Sequence, residues 1–435
     1  MALSVGARWA IATPALLVLL YIIFIGLLLI PWLQRHAIYV HKINSEFWHN
    51  TSDPTTFGFA CNQVRTFSIP TPDGILLQAW HVIPLDVYAA KREELAATTG
   101  KDSNLLLSLL TSDPSAKVLI SFHGNAGHIA QGWRTDTYRS FSALPNTHTI
   151  TIDYRGFGRS TGSPTEAGLI TDGIALVNYV MHTLGIPPER IAIVGQSLGT
   201  AVAAAVTLYF ADPKNALIPS TVAASATPST PLLKSQDVSH PSYDSLSNGA
   251  IAEHSSVAID PLAYQSALTP ASSSAPSGIL FAGTTLIAPF INIPRLLLTY
   301  KAGGVIPLLG PLRPFRFLHG ILDWGIQDQW QTLLRLQAFY SAAQKLRSDD
   351  VLGAIHVVHA FNDADINWRQ SRGLWEGVTG RTADAQLEKK QATSLEERVD
   401  GTRFTVELVE HGGHNRVCTY SEVHLAVRRM LTGSG

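Results

Sequence analysis

The chain has 435 residues, of which 46% are hydrophobic and 15% charged. That is enough apolar material for a large buried core, which excludes a wholly disordered or fibrous chain. A net charge of −1 without a Lys/Arg block leaves no electrostatic footprint for nucleic acid. Two cysteines, Cys61 and Cys418, exclude a disulfide framework and a paired-cysteine zinc or redox centre.

The amino terminus reads as a membrane anchor. The 26 residues from Trp9 to Gln34 carry no charge. A helix from Ile11 to Leu33 is roughly 35 Å long, enough to cross a hydrocarbon core of ~30 Å. A cleaved signal peptide has a shorter apolar region, of about 7–15 residues, followed by a small-residue cleavage site. Here the run ends in Pro31-Trp32-Leu33-Gln34-Arg35. We therefore expect a transmembrane anchor over residues 1–36 and a juxtamembrane segment over 37–60. Arg8 on one side balances Arg35 and Lys42 on the other, so basic residues leave the orientation open. Asn50-Thr51-Ser52 is a glycosylation acceptor pattern that fits a lumenal body.

Beyond the anchor, apolar strands alternate with helical patterns. Strands are expected at 62–69, 75–83, 117–122, 148–153, 190–195, 278–283, 353–359 and 403–409. The middle ones, such as Lys117-Val-Leu-Ile-Ser-Phe122, are near-continuous apolar runs, as in strands covered on both faces of a parallel sheet. Helices are expected at 128–143, 165–184, 198–211, 330–347 and 419–432. The alternation predicts an α/β fold, with helices on both faces of a mostly parallel eight-stranded sheet. Three stretches interrupt it. Residues 97–115 read as a polar loop with a Leu105-Leu106-Leu107 patch. Residues 220–277 hold 15 Ser, 4 Thr and 6 Pro, too little apolar area to offset ordering, and read as a disordered Ser-rich insertion. Residues 379–402 read as a charged surface excursion. Residues 61–432 then form one domain.

Gly195-Gln196-Ser197-Leu198-Gly199 is a G-x-S-x-G pattern between a strand and a small-residue helix. That setting makes a nucleophile elbow, a sharp turn that lifts the serine hydroxyl above the sheet. A second match, Gly158-Arg159-Ser160-Thr161-Gly162, lies in a glycine-rich loop with no strand running directly into it. Ser197 is therefore the expected nucleophile; simple capping of the next helix would leave the flanking glycines unexplained. An oxyanion hole would use the N–H of Leu198 and one from the loop His123-Gly124-Asn125-Ala126-Gly127-His128, with Asn125 the candidate. The acid and base should follow in the order acid, histidine. After strand 353–359 come Asp363 and Asp365, either of which can hold an imidazole. After strand 403–409 come His411 and His414, of which His414 is favoured. His148-Thr-Ile-Thr-Ile-Asp153 matches an acyltransferase pattern but falls on a buried strand and is set aside.

His123-Gly-Asn-Ala-Gly127, Asp153-Tyr-Arg-Gly-Phe-Gly-Arg-Ser-Thr-Gly-Ser-Pro164, Gly195-Gln-Ser-Leu-Gly199, His359…Asp363 and His414-Asn415 together resemble the α/β-hydrolase superfamily. With the anchor, the chain is similar to the alpha/beta hydrolase domain-containing protein 12 group over about 60–430, minus the inserts. The resemblance implies an α/β-hydrolase fold and a membrane monoacylglycerol or lysophospholipid lipase of the endoplasmic reticulum, with its catalytic domain in the lumen. It also selects Asp363 over Asp365, although Asn362 and Asp365-Ile366-Asn367 depart from the family's acid and Val-Pro pair.

Residues 285–330 lie where this fold carries a lid. From 285 to 322 the stretch is apolar, with Arg295, Lys301, Arg313 and Arg316 and no acid. That suits an acyl chain with an anionic head group, or a bilayer surface, and equally a set of helices packed on the core. The expected partners are a lipid ester and the bilayer, with no nucleic acid, no metal and no organic cofactor. Other readings are a thioesterase or peptidase on the same fold, or a non-catalytic membrane-tethered interaction protein. Cys61 and Cys418 are open to pairing or to lying as two buried thiols.

Overall fold

A computed structural model of the chain describes residues 5–44, 48–97, 103–225, 278–302, 305–346, 352–383, 393–399 and 401–432. The Ser-rich stretch, but for a short helix at Ser220–Ser225, lies outside these residues.

Nine strands form the main sheet: β1 (Val64–Pro70), β2 (Leu76–Val82), β3 (Lys117–Phe122), β4 (Thr147–Ile152), β5 (Ile191–Gln196), β6 (Gly283–Ile287), β9 (Ala354–Ala360), β10 (Thr393–Val399) and β11 (Thr402–Val409). A separate two-residue pair, β7 (Lys301–Ala302) and β8 (Ile306–Pro307), forms a hairpin. The order in the main sheet is β1-β2-β4-β3-β5-β6-β9-β11-β10. Its centre, from β4 to β11, is parallel; β1 and β2 at one edge and β10 at the other run antiparallel to their neighbours.

The continuous apolar runs have a direct cause. Successive side chains of a strand point to opposite faces, and both faces here are covered. In β5, Ile191 and Ile193 join one core while Ala192 and Val194 join the other. In β9, Ile355 and Val357 face one side and Val358 and Ala360 the other. The larger core packs the helices Glu166–Asn178, Leu198–Ala211, Thr332–Leu346 and Arg369–Thr379. The smaller one lies under Ser421–Thr432. Every residue of Leu198–Ala211 is buried. Its alanines keep it thin enough to lie between the sheet and Thr332–Leu346.

Four expectations are corrected. Among the described residues the sheet has nine strands rather than eight, because β10 lies inside the stretch read as a charged excursion. Its Ser-Leu-Glu-Glu-Arg alternates half-buried and exposed positions, as an edge strand does. The sixth strand is Gly283–Ile287, not 278–283, since Thr284 and Thr285 are buried against β5 and β9. Residues 285–287 therefore belong to the sheet and not to a lid. Residues 103–111 form a helix whose Leu106, Leu107 and Leu110 are buried, not a polar loop. Both cysteines are free, Cys418 buried and Cys61 exposed, so they are neither a pair nor two buried thiols.

At the amino terminus, helix α1 (Val5–Leu28) is followed by α2 (Pro31–Tyr39). Among the described residues no single helix is long and apolar enough to cross a membrane. Ala12–Leu28 and Pro31–Tyr39 meet that test only together, as a pair bent by 93°. Pro31 in the first turn of α2 fits such a break, because it cannot donate the hydrogen bond that would continue α1.

Candidate active site

Ser197 sits between β5 and the helix Leu198–Ala211 with φ 51° and ψ −118°, a region that a residue with a side chain rarely adopts. Its N–H donates to Ile287 O at 2.9 Å, and its carbonyl accepts from Thr200 N at 2.9 Å. The two glycines of the motif are required by contact. A Cβ on Gly195 would lie 2.2 Å from Gly199 O, and one on Gly199 would lie 2.1 Å from Phe122 O. The sharp turn therefore forces the helix start against both β5 and β3. Ser160, the competing serine, is used structurally: its hydroxyl donates to Asp153 O at 2.6 Å and accepts Gln78 N–H at 2.9 Å.

The loop 123–128 lies beside the elbow, and a Cβ on Gly124 would be in ordinary contact with Ser197 Cβ at 3.4 Å. The loop carbonyls turn the other way. Arg134 donates to Gly124 O at 2.8 Å, Asn125 O at 2.6 Å and His128 O at 2.5 Å. Because the peptide unit is planar and trans, fixing Gly124 C=O on Arg134 directs the Asn125 N–H to the opposite side. The Asn125 side chain donates to Ile38 O at 2.7 Å and accepts from Ala126 N at 2.8 Å. Leu198 opens its helix, so its N–H has no partner within that helix.

Asp363 and His414 meet: His414 Nδ1 lies 2.8 Å from Asp363 Oδ2. The same carboxylate oxygen is 3.2 Å from His359 Nε2. Oδ1 accepts N–H groups of Asp365 at 2.9 Å and Ile366 at 2.8 Å. Burial opposes ionisation of Asp363, but these donors from His359 and His414 outweigh it and hold its pKa below the usual carboxylate range. For His414, burial disfavours the charged ring, while the hydrogen bond and charge of Asp363, with Asp365 behind it, raise its pKa above 6.5. Gln196, next to Ser197, donates to His414 O at 3.2 Å, tying the histidine turn to the elbow strand. Asn362 Oδ1 accepts Gly413 N–H at 2.8 Å, tying it to the turn that carries Asp363. His411, by contrast, is exposed beside Glu410, and Asp365 donates its N–H to Asp363 while its carboxylate acts on His414 through charge.

Arg134, Gln196 and Asn362 are supporting residues that sequence reasoning missed. Gln196 and Asn362 act through contacts distant in sequence, and Arg134 through carbonyls 6 to 10 positions back that follow no helical or strand period. Asp363, Asp365 and His414 have ligand atoms within 4.8 Å of one another, a spacing open to a metal ion. Both oxygens of Asp363 already accept protein donors, so the cluster reads as a hydrogen-bonded acid and base.

Residues 117–256 match the family model described as alpha/beta hydrolase fold. Together with the strand order and the turn at Ser197, this gives the chain an α/β-hydrolase fold. It resembles the ABHD12 group: it is 29% identical over 191 residues to lysophosphatidylserine lipase ABHD12 of Danio rerio, covering 43% of this chain and 46% of that protein. It is 41% identical over 117 residues to protein bem46 of Schizosaccharomyces pombe, covering 27% and 38%. The chain thus spans less than half the length of these relatives. A solved alpha-beta hydrolase from Vibrio vulnificus aligns with 100% of this chain and 95% of its own at 12% identity and a TM-score of 0.48, too distant to bear on activity.

Proposed function

We propose that this hydrolase is a membrane-anchored serine esterase of lipids, acting on monoacylglycerols or lysophospholipids through Ser197, His414 and Asp363. The observation that carries the reading is the 2.8 Å contact of His414 Nδ1 with a carboxylate whose other oxygen is fully engaged. With Nδ1–H held by Asp363, Nε2 is the basic nitrogen. Ser197 Oγ attacks the ester carbonyl as its proton passes to His414 Nε2. The leaving alkoxide takes that proton, and an acyl-enzyme remains. Water, activated by the same nitrogen, then releases the fatty acid and restores Ser197. The N–H groups of Asn125 and Leu198 stabilise the tetrahedral oxyanion, each worth ~10²–10³ in rate.

The amino-terminal residues 1–36 serve as the anchor, through α1 and the bent α2, followed by the juxtamembrane segment to residue 60 and the hydrolase domain 61–432. The segment from 288 to 330 is the lid. In its helix Arg316–Gly325, Phe317, Ile321 and Trp324 are exposed at i, i+4 and i+7, so an apolar stripe faces outward. Arg295, Lys301, Arg313 and Arg316 of the same segment are exposed, as is Asp323 within the helix. An apolar face on a cationic segment suits a bilayer interface and an anionic lysophospholipid head group. We place the body in the endoplasmic reticulum lumen, in keeping with the exposed Asn50 acceptor site.

The test is fluorophosphonate labelling of membrane fractions, wild type against Ser197→Ala, followed by a panel of acylglycerols and lysophospholipids. Labelling confined to the wild type and release of fatty acid are expected. A folded wild type that is never labelled, or that cleaves only short soluble esters, removes the reading.

A further inference from the structure

The last turn of α2 leaves carbonyls that no N–H of its own helix can reach. His36 O is taken by Val40 N at 3.0 Å, the left-handed cap of the helix. Ile38 O instead receives Asn125 Nδ2 at 2.7 Å, and Tyr39 O receives Ala126 N at 3.2 Å. The loop beside Ser197 is thus the carboxyl-terminal cap of the juxtamembrane helix. Ala126 holds φ 65°, an uncommon conformation for alanine, so the loop is kept in a shape that it would not choose alone.

The same helix grips the lid. Gln34 donates to Gly325 O at 2.9 Å and accepts from Gln327 N at 2.8 Å. The fully buried Tyr39 donates its hydroxyl proton to Asp328 Oδ2 at 2.9 Å and accepts from Trp330 Nε1 at 3.2 Å. Further back, Tyr21 on α1 donates to Leu308 O at 3.1 Å. One short helix therefore joins the apolar amino terminus, the lid and the oxyanion loop through hydrogen bonds.

We propose that α2 is a positioning element of the catalytic site: Ile38 O and Tyr39 O hold the 124–126 loop, through the Asn125 side chain and the Ala126 amide, in the geometry that aims the Asn125 N–H at the oxyanion. This rests on the reading of Ser197 and Asn125 given above. Its consequence is that turnover of any ester, soluble or membrane-borne, depends on how the amino-terminal helices sit. Movement of α1 in the bilayer passes to the chemistry through α2 without altering Ser197, His414 or Asp363.

The experiment uses the full chain in lipid nanodiscs, as wild type, Asn125→Ala and Tyr39→Phe. It reads backbone amide exchange of residues 123–128, kcat and KM for a short soluble nitrophenyl ester, and affinity for a trifluoromethyl ketone that forms a tetrahedral adduct with serine. All are measured well below each variant's unfolding temperature. Asn125→Ala is expected to speed loop exchange and to lower kcat and ketone affinity by about tenfold, with KM nearly unchanged. Tyr39→Phe, which keeps the packing and loses only the hydroxyl, is expected to give the same pattern at about threefold. Should Asn125→Ala not fold, Asn125→Ser, whose side chain is too short to reach Ile38 O, decides on the same readouts. Loop exchange unchanged in an active enzyme overturns the proposal. Faster exchange with kcat and ketone affinity intact also overturns it, since the contact would then be merely structural. A wild type with no Ser197-dependent turnover overturns the reading of the site itself, and the positioning role with it.

Discussion

Gly199→Ala tests the elbow geometry most directly. A Cβ at this position would lie 2.1 Å from Phe122 O, 2.7 Å from Phe122 C and 2.8 Å from His123 O. All three are backbone atoms, so no side-chain rotation relieves the contact. Ordinary contact begins at 3.4 Å, so the helix start must retreat by about 1.3 Å from β3. Forcing a methyl into a packed site costs ~1–3 kcal/mol. At roughly 2–4 °C per kcal/mol for a domain of this size, the thermal midpoint should fall by about 2–12 °C. Activity should suffer more than stability. The retreat moves Ser197 and the Leu198 N–H relative to the 123–128 loop, and a misplacement of ~1 Å costs about 10²-fold in rate. The assay is differential scanning fluorimetry together with the rate of fluorophosphonate labelling. Gly320→Ala is the control, since nothing lies within 4 Å of a Cβ there. A Gly199→Ala enzyme with labelling within about twofold of wild type and an unchanged midpoint would refute the idea that β3 contact sets the nucleophile.

Asp363→Asn should lower kcat by ~10³–10⁴, because the amide no longer fixes the His414 tautomer, while Asp365→Asn should stay within a few-fold; equal losses would undo the assignment of the acid. His414 must be neutral to act as base and its pKa is raised, so the acidic limb of kcat/KM should lie above pH 6.5; a limb below 6.5 would contradict the geometry. Burial pulls His128 and His148 down to about 4, and His81 and His123 well below the ordinary value. The unfolded rings take up protons between about pH 6.5 and 4 that the native rings refuse, while Asp153 and Asp172, pushed up by burial to about 7 and about 6, act in the opposite direction; imidazole NMR signals of the native protein that titrate near 6.5 at all four rings would exclude neutral buried histidines. Phe317→Ser with Trp324→Ser should weaken binding to anionic vesicles at least ~10-fold, from ~1.5–3 kcal/mol per side chain withdrawn from the bilayer; undiminished sedimentation with vesicles would show that the outward stripe does not touch lipid.

Those parts of the fold that depend on local pattern were legible. β3, β5, β9 and β11 fall within a residue or so of the apolar runs that announce them, and the helix 198–211 matches its expected span. The placement of Ser197 at a strand-to-helix turn and of Asp363 and His414 on two post-strand loops was legible too, because such positions leave signatures in sequence order; their catalytic roles belong to the function proposed above. The misses have physical causes. β6 was displaced because Gly283-Thr-Thr-Leu-Ile287 looks polar until both threonines are seen to be buried. β10 was missed because an edge strand needs only one face covered and keeps charges on the other. The role of Arg134 and the capping of α2 by Asn125 join carbonyls to side chains 6 to 87 positions apart, and no periodicity encodes such a bond.

The backbone of Ser197 carries a consequence for the history of the chain. A serine held at φ 51° and ψ −118° costs ~1–3 kcal/mol that a glycine there would not. On the proposed reading of Ser197 as nucleophile, the residue that the backbone favours and the residue that the chemistry needs differ at this one position. Copies released from selection for chemistry gain robustness by exchanging Ser197 for glycine, and so can persist as sound, silent scaffolds. A natural variant with glycine at 197 should be expected to be abundant and well folded, and its abundance says nothing of whether it works.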